Sequence, residues 1–189
     1  MPGRGGAPGP RLGTAVGWCG KGVVVKVVVW VTESTWRSAV DAVPELPDPD
    51  VTLLHVIDGN AVQAVAGARA GLLGRGLSYD AGGASEQVLV DAQAALLDAA
   101  AERLGRPARR LALQGRIERE VVAACADAGL LVLARDGDHT RLGPHSIGHH
   151  ARFVIDHAPC RVLLVWPDEP PDLSTVPPPP PHPPPHPPH

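Results

Sequence analysis

Residues 23–31 read VVVKVVVWV, a nine-residue run that is apolar on both faces of an extended chain and broken only by Lys26. β-branched side chains are stiff in a helix and fit a pleated surface. A run without polar alternation marks a strand covered on both sides, the situation of a parallel sheet between two layers of helices. Residues 51–57 (VTLLHVI), 130–133 (LLVL) and 162–165 (VLLV) repeat the pattern. Residues 110–114 (RLALQ) alternate instead and read as a strand with one wetter face.

Helical periodicities separate these runs. Ser34 is placed to cap a short helix carrying Ala39, Val40 and Val43, which Pro44 ends. Val62, Val65, Arg69 and Leu72 recur at helical spacing. Leu89, Ala92, Leu96, Ala100 and Leu104 form a stripe along the longest helix, closed by Gly105 and Pro107. Ile117, Val121, Ala124, Cys125 and Ala128 form another, with Gly129 in the C-terminal cap position. A last helix near 148–156 carries Ala151, Val154 and Ile155 and stops before Pro159. The order β-α-β-α-α-β-α-β-α-β, with right-handed crossovers, predicts an α/β fold: a three-layer α/β/α sandwich around a five-stranded, mostly parallel sheet. Ligands of such sheets sit beyond the carboxyl ends of the strands, at the topological switch point. Those ends are residues 32–34, 57–60 and 134–148.

Composition narrows the function classes. Among 189 residues 44% are apolar, which excludes disorder throughout and a collagen-like fibre. The formal charge of −3 gives no global attraction to nucleic acid or to an anionic membrane. Thirteen of the 22 prolines lie from Pro167 onward, and residues 177–189 contain only Pro and His. The chain therefore divides into a disordered extension over 1–21, one domain over 22–167 and a disordered Pro/His-rich tail over 168–189. Cys19, Cys125 and Cys160 form no CxxC, and an odd count argues against a disulfide framework. No run approaches the roughly 20 apolar residues of a membrane span. Arg4 and Arg11 precede the first apolar run, but no small-residue cleavage site follows it, which argues against a signal peptide. The expected compartment is the cytoplasm.

The order of motifs resembles the universal stress protein family over about residues 24–167. The segment from Gly148 through His157-Ala158-Pro159-Cys160 to Val165 is similar to that family's glycine, amphipathic helix, His-Ala-Pro-Cys turn and final strand. Leu53-Leu54-His55-Val56 and residues 115–137 add to the likeness. The resemblance implies a Rossmann-like fold of the adenine nucleotide alpha-hydrolase type. It implies homodimerisation through the last strand, from Arg161 to Trp166, and a nucleotide site at Thr32, Val56, Ala134, Arg135, Gly137, Gly148 and His149. Family members that bind ATP place an Asp after the first strand and a GxxG…G(S/T) loop after the fourth, where glycines admit phosphates to backbone N–H groups at a helix start. This chain departs from that pattern. Thr32 stands at the Asp position, Ala134 replaces the first glycine, Gly148 comes one residue late and His149 replaces the Ser/Thr. Loss of the carboxylate alone weakens anchoring by about 1.5–3 kcal/mol. Arg135, Arg141, His139, His145, His149 and His150 could still meet a phosphate, offset by Asp136 and Asp138.

The remaining chemistry-bearing residues have ordinary structural readings. His149 and His150 are adjacent on a helix and point about 100° apart, so no metal ligand pair forms. His182, His186 and His189 are spaced four and three apart and spread around a polyproline II helix. His55 and His157 read as structural imidazoles, Cys125 as a core residue and Cys160 as a turn residue without a neighbouring base. Arg103, Arg106, Arg109 and Arg110 lack interleaved aromatics and read as a solvated edge rather than an RNA site. No Walker, GxGxxG or GxSxG motif is present.

The leading expectation is a non-catalytic stress-response protein with a degraded nucleotide loop, no catalytic residue, no metal and no certain cofactor. It would act by binding an unknown protein partner or a small ligand, as a homodimer through the last strand. The alternative is an ATP-binding sensor or slow ATP hydrolase. A third reading, metal binding through the His-rich tail, predicts that deleting residues 176–189 removes Ni²⁺ or Zn²⁺ binding.

Overall fold

The computed structural model describes residues 24–60 and 81–178, with side chains placed from Glu86 onward in the second stretch. The expected helix carrying Val62, Val65, Arg69 and Leu72 lies outside the described residues, as do the extension over 1–21 and the Pro/His run from 179. Among the described residues five strands form one sheet: β1 Lys26–Trp30, β2 Asp50–Asp58, β3 Arg109–Gly115, β4 Leu130–Ala134 and β5 Arg161–Val165. Their order is β3-β2-β1-β4-β5, and every neighbouring pair is parallel. The sheet is an α/β fold of the expected kind, parallel throughout.

The continuous apolar character of β1 follows from its central place. Val27, Val29 and Val31 face one layer, packed with Val40 and Ala39 of α1 (Trp36–Asp41) and Leu97 and Ala100 of α2 (Ala81–Leu104). Val28 and Trp30 face the other layer, with Val121 of α3 (Ile117–Ala124) and Ala151 and Val154 of α4 (His149–His157). Neither face of β1 meets water, so polar alternation has no place in it.

Several local expectations need correction. Ser34 does not cap α1. Thr35 is the N-cap residue, and its hydroxyl pairs with Thr32 Oγ1 at 2.8 Å instead of capping the helix. Pro44 does not end that helix directly; it opens a short 3-10 turn, Val43–Glu45, after α1 has closed. Helix α3 ends at Ala124, so Ala128 and Gly129 lie beyond it. The Gly129 N–H donates to Lys26 O at 2.9 Å and starts β4.

The stripe read along α2 is rotated. Its fully buried residues are Gln93, Leu97, Ala100 and Leu104, whereas Leu89 and Leu96 are half-buried and Ala92 is exposed. Gly105 ends α2 as expected, with φ of +66 and its N–H on Ala101 O.

Candidate functional site

The strands all point one way, and a crevice of about 860 Å³ opens beyond their carboxyl ends. Its floor comes from the turn after β1 (Thr32, Glu33, Ser34) and the end of β2 (His55, Val56, Asp58). One wall is α2, through Leu89, Ala92, Gln93 and Leu96, and Asp136 and His150 close the far side. The misaligned stripe thus has a place: its outer members line this crevice, and Leu96 also packs on the core.

Three side chains at the floor form a connected set. Gln93 is buried, and its Nε2 lies 3.0 Å from His55 O and 3.0 Å from Leu113 O. Two carbonyl oxygens identify that atom as the amide nitrogen, which only donates. The same nitrogen is 3.1 Å from His55 Nδ1; its two hydrogens are shared among three acceptors, and Nδ1, facing a group that only donates, is one of them. In the neutral ring Nε2 then carries the hydrogen, and it donates to Glu33 Oε1 at 3.4 Å. That hydrogen bond holds the Glu33 carboxyl well below its usual range, at about 2, against a smaller opposing effect of burial.

The loop from Arg135 to Gly148 closes on itself. Gly137 N–H donates to Ser146 O at 3.1 Å, and Asp138 N–H to His145 O at 2.8 Å. A Cβ on Gly137 would stand 2.2 Å from His145 O, so this glycine is required for the loop's own backbone packing. Arg135 Nη1 donates to the fully buried Ser146 hydroxyl, and its guanidinium lies 4.4 Å from the centre of the Trp166 ring. Arg135 Nε is buried without a hydrogen-bond partner among the described residues. Arg141 is bound to Asp138 at 3.1 Å, and His139 to Arg135 O at 2.9 Å. At the start of α4 the Gly148 N–H donates to Asp136 Oδ1 at 2.7 Å. His150 is held by Glu118 at 3.1 Å, and its ring centre lies 3.7 Å from that of the exposed His149.

Of the seven residues singled out by resemblance, Thr32 and Val56 line the crevice. Ala134 is buried against the core, while Arg135, Gly137, Gly148 and His149 belong to the loop and helix start behind it. Glu33, Gln93 and Asp136 line the crevice and were not singled out, and His55 has a place there beyond its structural one. A glutamine inside an apolar helical stripe was the one readable signal. The basic edge is neutralised: Arg103 pairs with Asp41, Arg106 with Asp48 and Arg110 with Asp98. Among the described residues no group of three or more His, Cys, Asp or Glu could hold a metal, and no helix is long and apolar enough to cross a membrane.

No family model matches the chain, and no curated protein matches it. Solved structures do. The hypothetical protein MJ0577 is similar over 76% of this chain and 97% of its own, at 21% identity and a TM-score of 0.54. Universal stress protein UspA from Lactobacillus plantarum is similar over 76% and 99%, at 18% identity and a TM-score of 0.50. A universal stress protein family member from Burkholderia pseudomallei gives 76% and 98%, at 20% identity and a TM-score of 0.50. With its five parallel strands, two helical layers and one crevice at the strand ends, the chain has the fold of the universal stress proteins.

Proposed function

We propose that the chain is a non-catalytic universal-stress-type regulatory domain, cytoplasmic, whose crevice holds a small ligand without a phosphate cradle. The observation that carries this reading is Asp136. Its carboxylate accepts the Gly148 N–H at the start of α4, the position where a phosphate would draw on the helix dipole. A second anion there meets repulsion from Asp136, and the Gly148 N–H is already taken. Gly137 is filled by the loop's own backbone, and Arg135 is turned to Ser146 and Trp166. The residues present therefore do not fit a nucleotide triphosphate. A thermal-shift titration with ATP–Mg²⁺ tests this: no change in midpoint is expected at millimolar nucleotide, and a saturable rise overturns it in favour of the ATP-sensor or slow-hydrolase alternative.

The free thiols of Cys125 and Cys160 suit a reducing compartment. Among the described residues strand β5 is an edge of the sheet, and its half-buried side chains from Val162 to Val165 suit pairing with a second copy, which would cover that edge. Sedimentation at micromolar concentration should give the mass of a dimer, and a monomer would remove that part of the proposal.

A further inference from the structure

We propose that the crevice binds a small organic cation, an amine whose charge faces Glu33 and whose apolar body lies against the outer side of α2. The proposal rests on the reading of the crevice as a ligand site without a phosphate cradle. It goes further by naming the ligand's chemistry.

Charge gives the first argument. Among the described residues three carboxylates line the crevice, Glu33, Asp58 and Asp136, together with the guanidinium of Arg37, which lies over the Trp36 ring at 4.8 Å. Asp58 and Asp136 each accept a backbone N–H, from Asn60 at 2.9 Å and Gly148 at 2.7 Å. Glu33 differs. Its side chain is 84% exposed, and it is oriented by His55, which Gln93 fixes in turn. A carboxylate held by one edge and open at the other is a ready acceptor for an ammonium group. Like any carboxylate it is ionised at physiological pH, and the His55 bond moves its titration further down.

Shape gives the second argument. Leu89, Ala92 and Leu96 are apolar and line the crevice, Leu96 packing on the core as well, while Leu97 and Ala100 are buried on the sheet side. An apolar wall beside one oriented charge matches an amphiphilic cation and leaves a bare metal ion with too few ligands. An anion would meet three carboxylates.

The test uses the full chain and three probes with one indole body: tryptamine (cation), tryptophol (neutral) and indole-3-propionate (anion), each followed by titration calorimetry beside ATP–Mg²⁺. Tryptamine should bind about three- to fivefold more tightly than tryptophol, the upper worth of an ion pair at an exposed carboxylate, with indole-3-propionate weakest. Glu33→Gln should bring tryptamine and tryptophol within about twofold of each other, with circular dichroism and melting confirming an intact fold. Equal binding of tryptamine and tryptophol, no binding of tryptamine, or an unchanged ratio in E33Q overturns the inference. Tight ATP–Mg²⁺ binding overturns the underlying reading instead, and tryptophol binding without a cation preference leaves that reading standing.

Discussion

Glu33 owes its position to atoms that are not its own. The Gln93 amide settles the direction of the His55 ring, and the ring settles the carboxylate. A carboxyl whose pKa falls from 4.5 to about 2 on folding adds stability that is fully present above pH 4.5. That contribution fades as the pH drops through 2. Urea midpoints measured from pH 2 to 5 should therefore fall more steeply for the native chain than for Glu33→Gln, the difference lying between pH 4.5 and 2. Parallel curves would mean that the His55 bond does not persist in solution. Gly137 makes a separate demand, for space rather than for an unusual φ. Gly137→Ala brings a methyl to 2.2 Å from His145 O and must push the two loop strands apart. A loss of about 1–3 kcal/mol in the urea midpoint analysis is expected, with no dependence on added nucleotide.

Helix α2 carries two overlapping apolar rows, and the fold uses only one of them as core. Leu97→Ala opens a void under the sheet and should cost about 2–5 kcal/mol, since Leu97 is 2% exposed. Leu89→Ala trims a side chain that faces the crevice and should cost under about 1 kcal/mol, measured by the same chemical denaturation. The contrast explains what could be read in advance. Strand positions, order and direction were legible because Val27 to Val31 and Leu130 to Leu133 admit no polar residue, and both faces of each strand bear on helices. The rotation of α2 was not, because alanines at 92, 94, 95, 99, 100 and 101 blur the hydrophobic period. The cap of α1 was missed because Ser34 and Thr35 are both capping types, and a hydroxyl pair with Thr32 chose between uses. The segments that carry the crevice carboxylates, 32–34, 57–60 and 134–148, were legible as strand ends, but the partner that orients Glu33 was not. Nothing local in the sequence says that His55, 22 residues away, reaches Glu33.

At the scale of the whole chain, the question is how the segment after β5 bears on the site. Pro167 O accepts the Ser38 hydroxyl at 2.6 Å, and the chain then forms a short 3-10 turn, Leu173–Thr175, capped by Asp172. The Thr175 hydroxyl accepts the Leu142 N–H at 3.0 Å, and Pro177 stands 3.7 Å from where a Cβ on Gly143 would lie. So the root of the Pro/His run rests on the loop that carries Asp136 and leads into α4. None of these contacts touches a strand pairing, which spans Lys26 to Val165. Ending the chain after Asp168 should therefore leave the sheet as stable as before while freeing the Leu142 amide. Hydrogen exchange followed by mass spectrometry should show faster exchange in a peptide covering 136–148 and unchanged protection in one covering 109–115. Faster exchange in both would make the segment part of the core, and none in either would mean that it does not rest on the loop. If the loop alone loosens, the segment over 169–178 braces the loop that carries Asp136 without being part of the core.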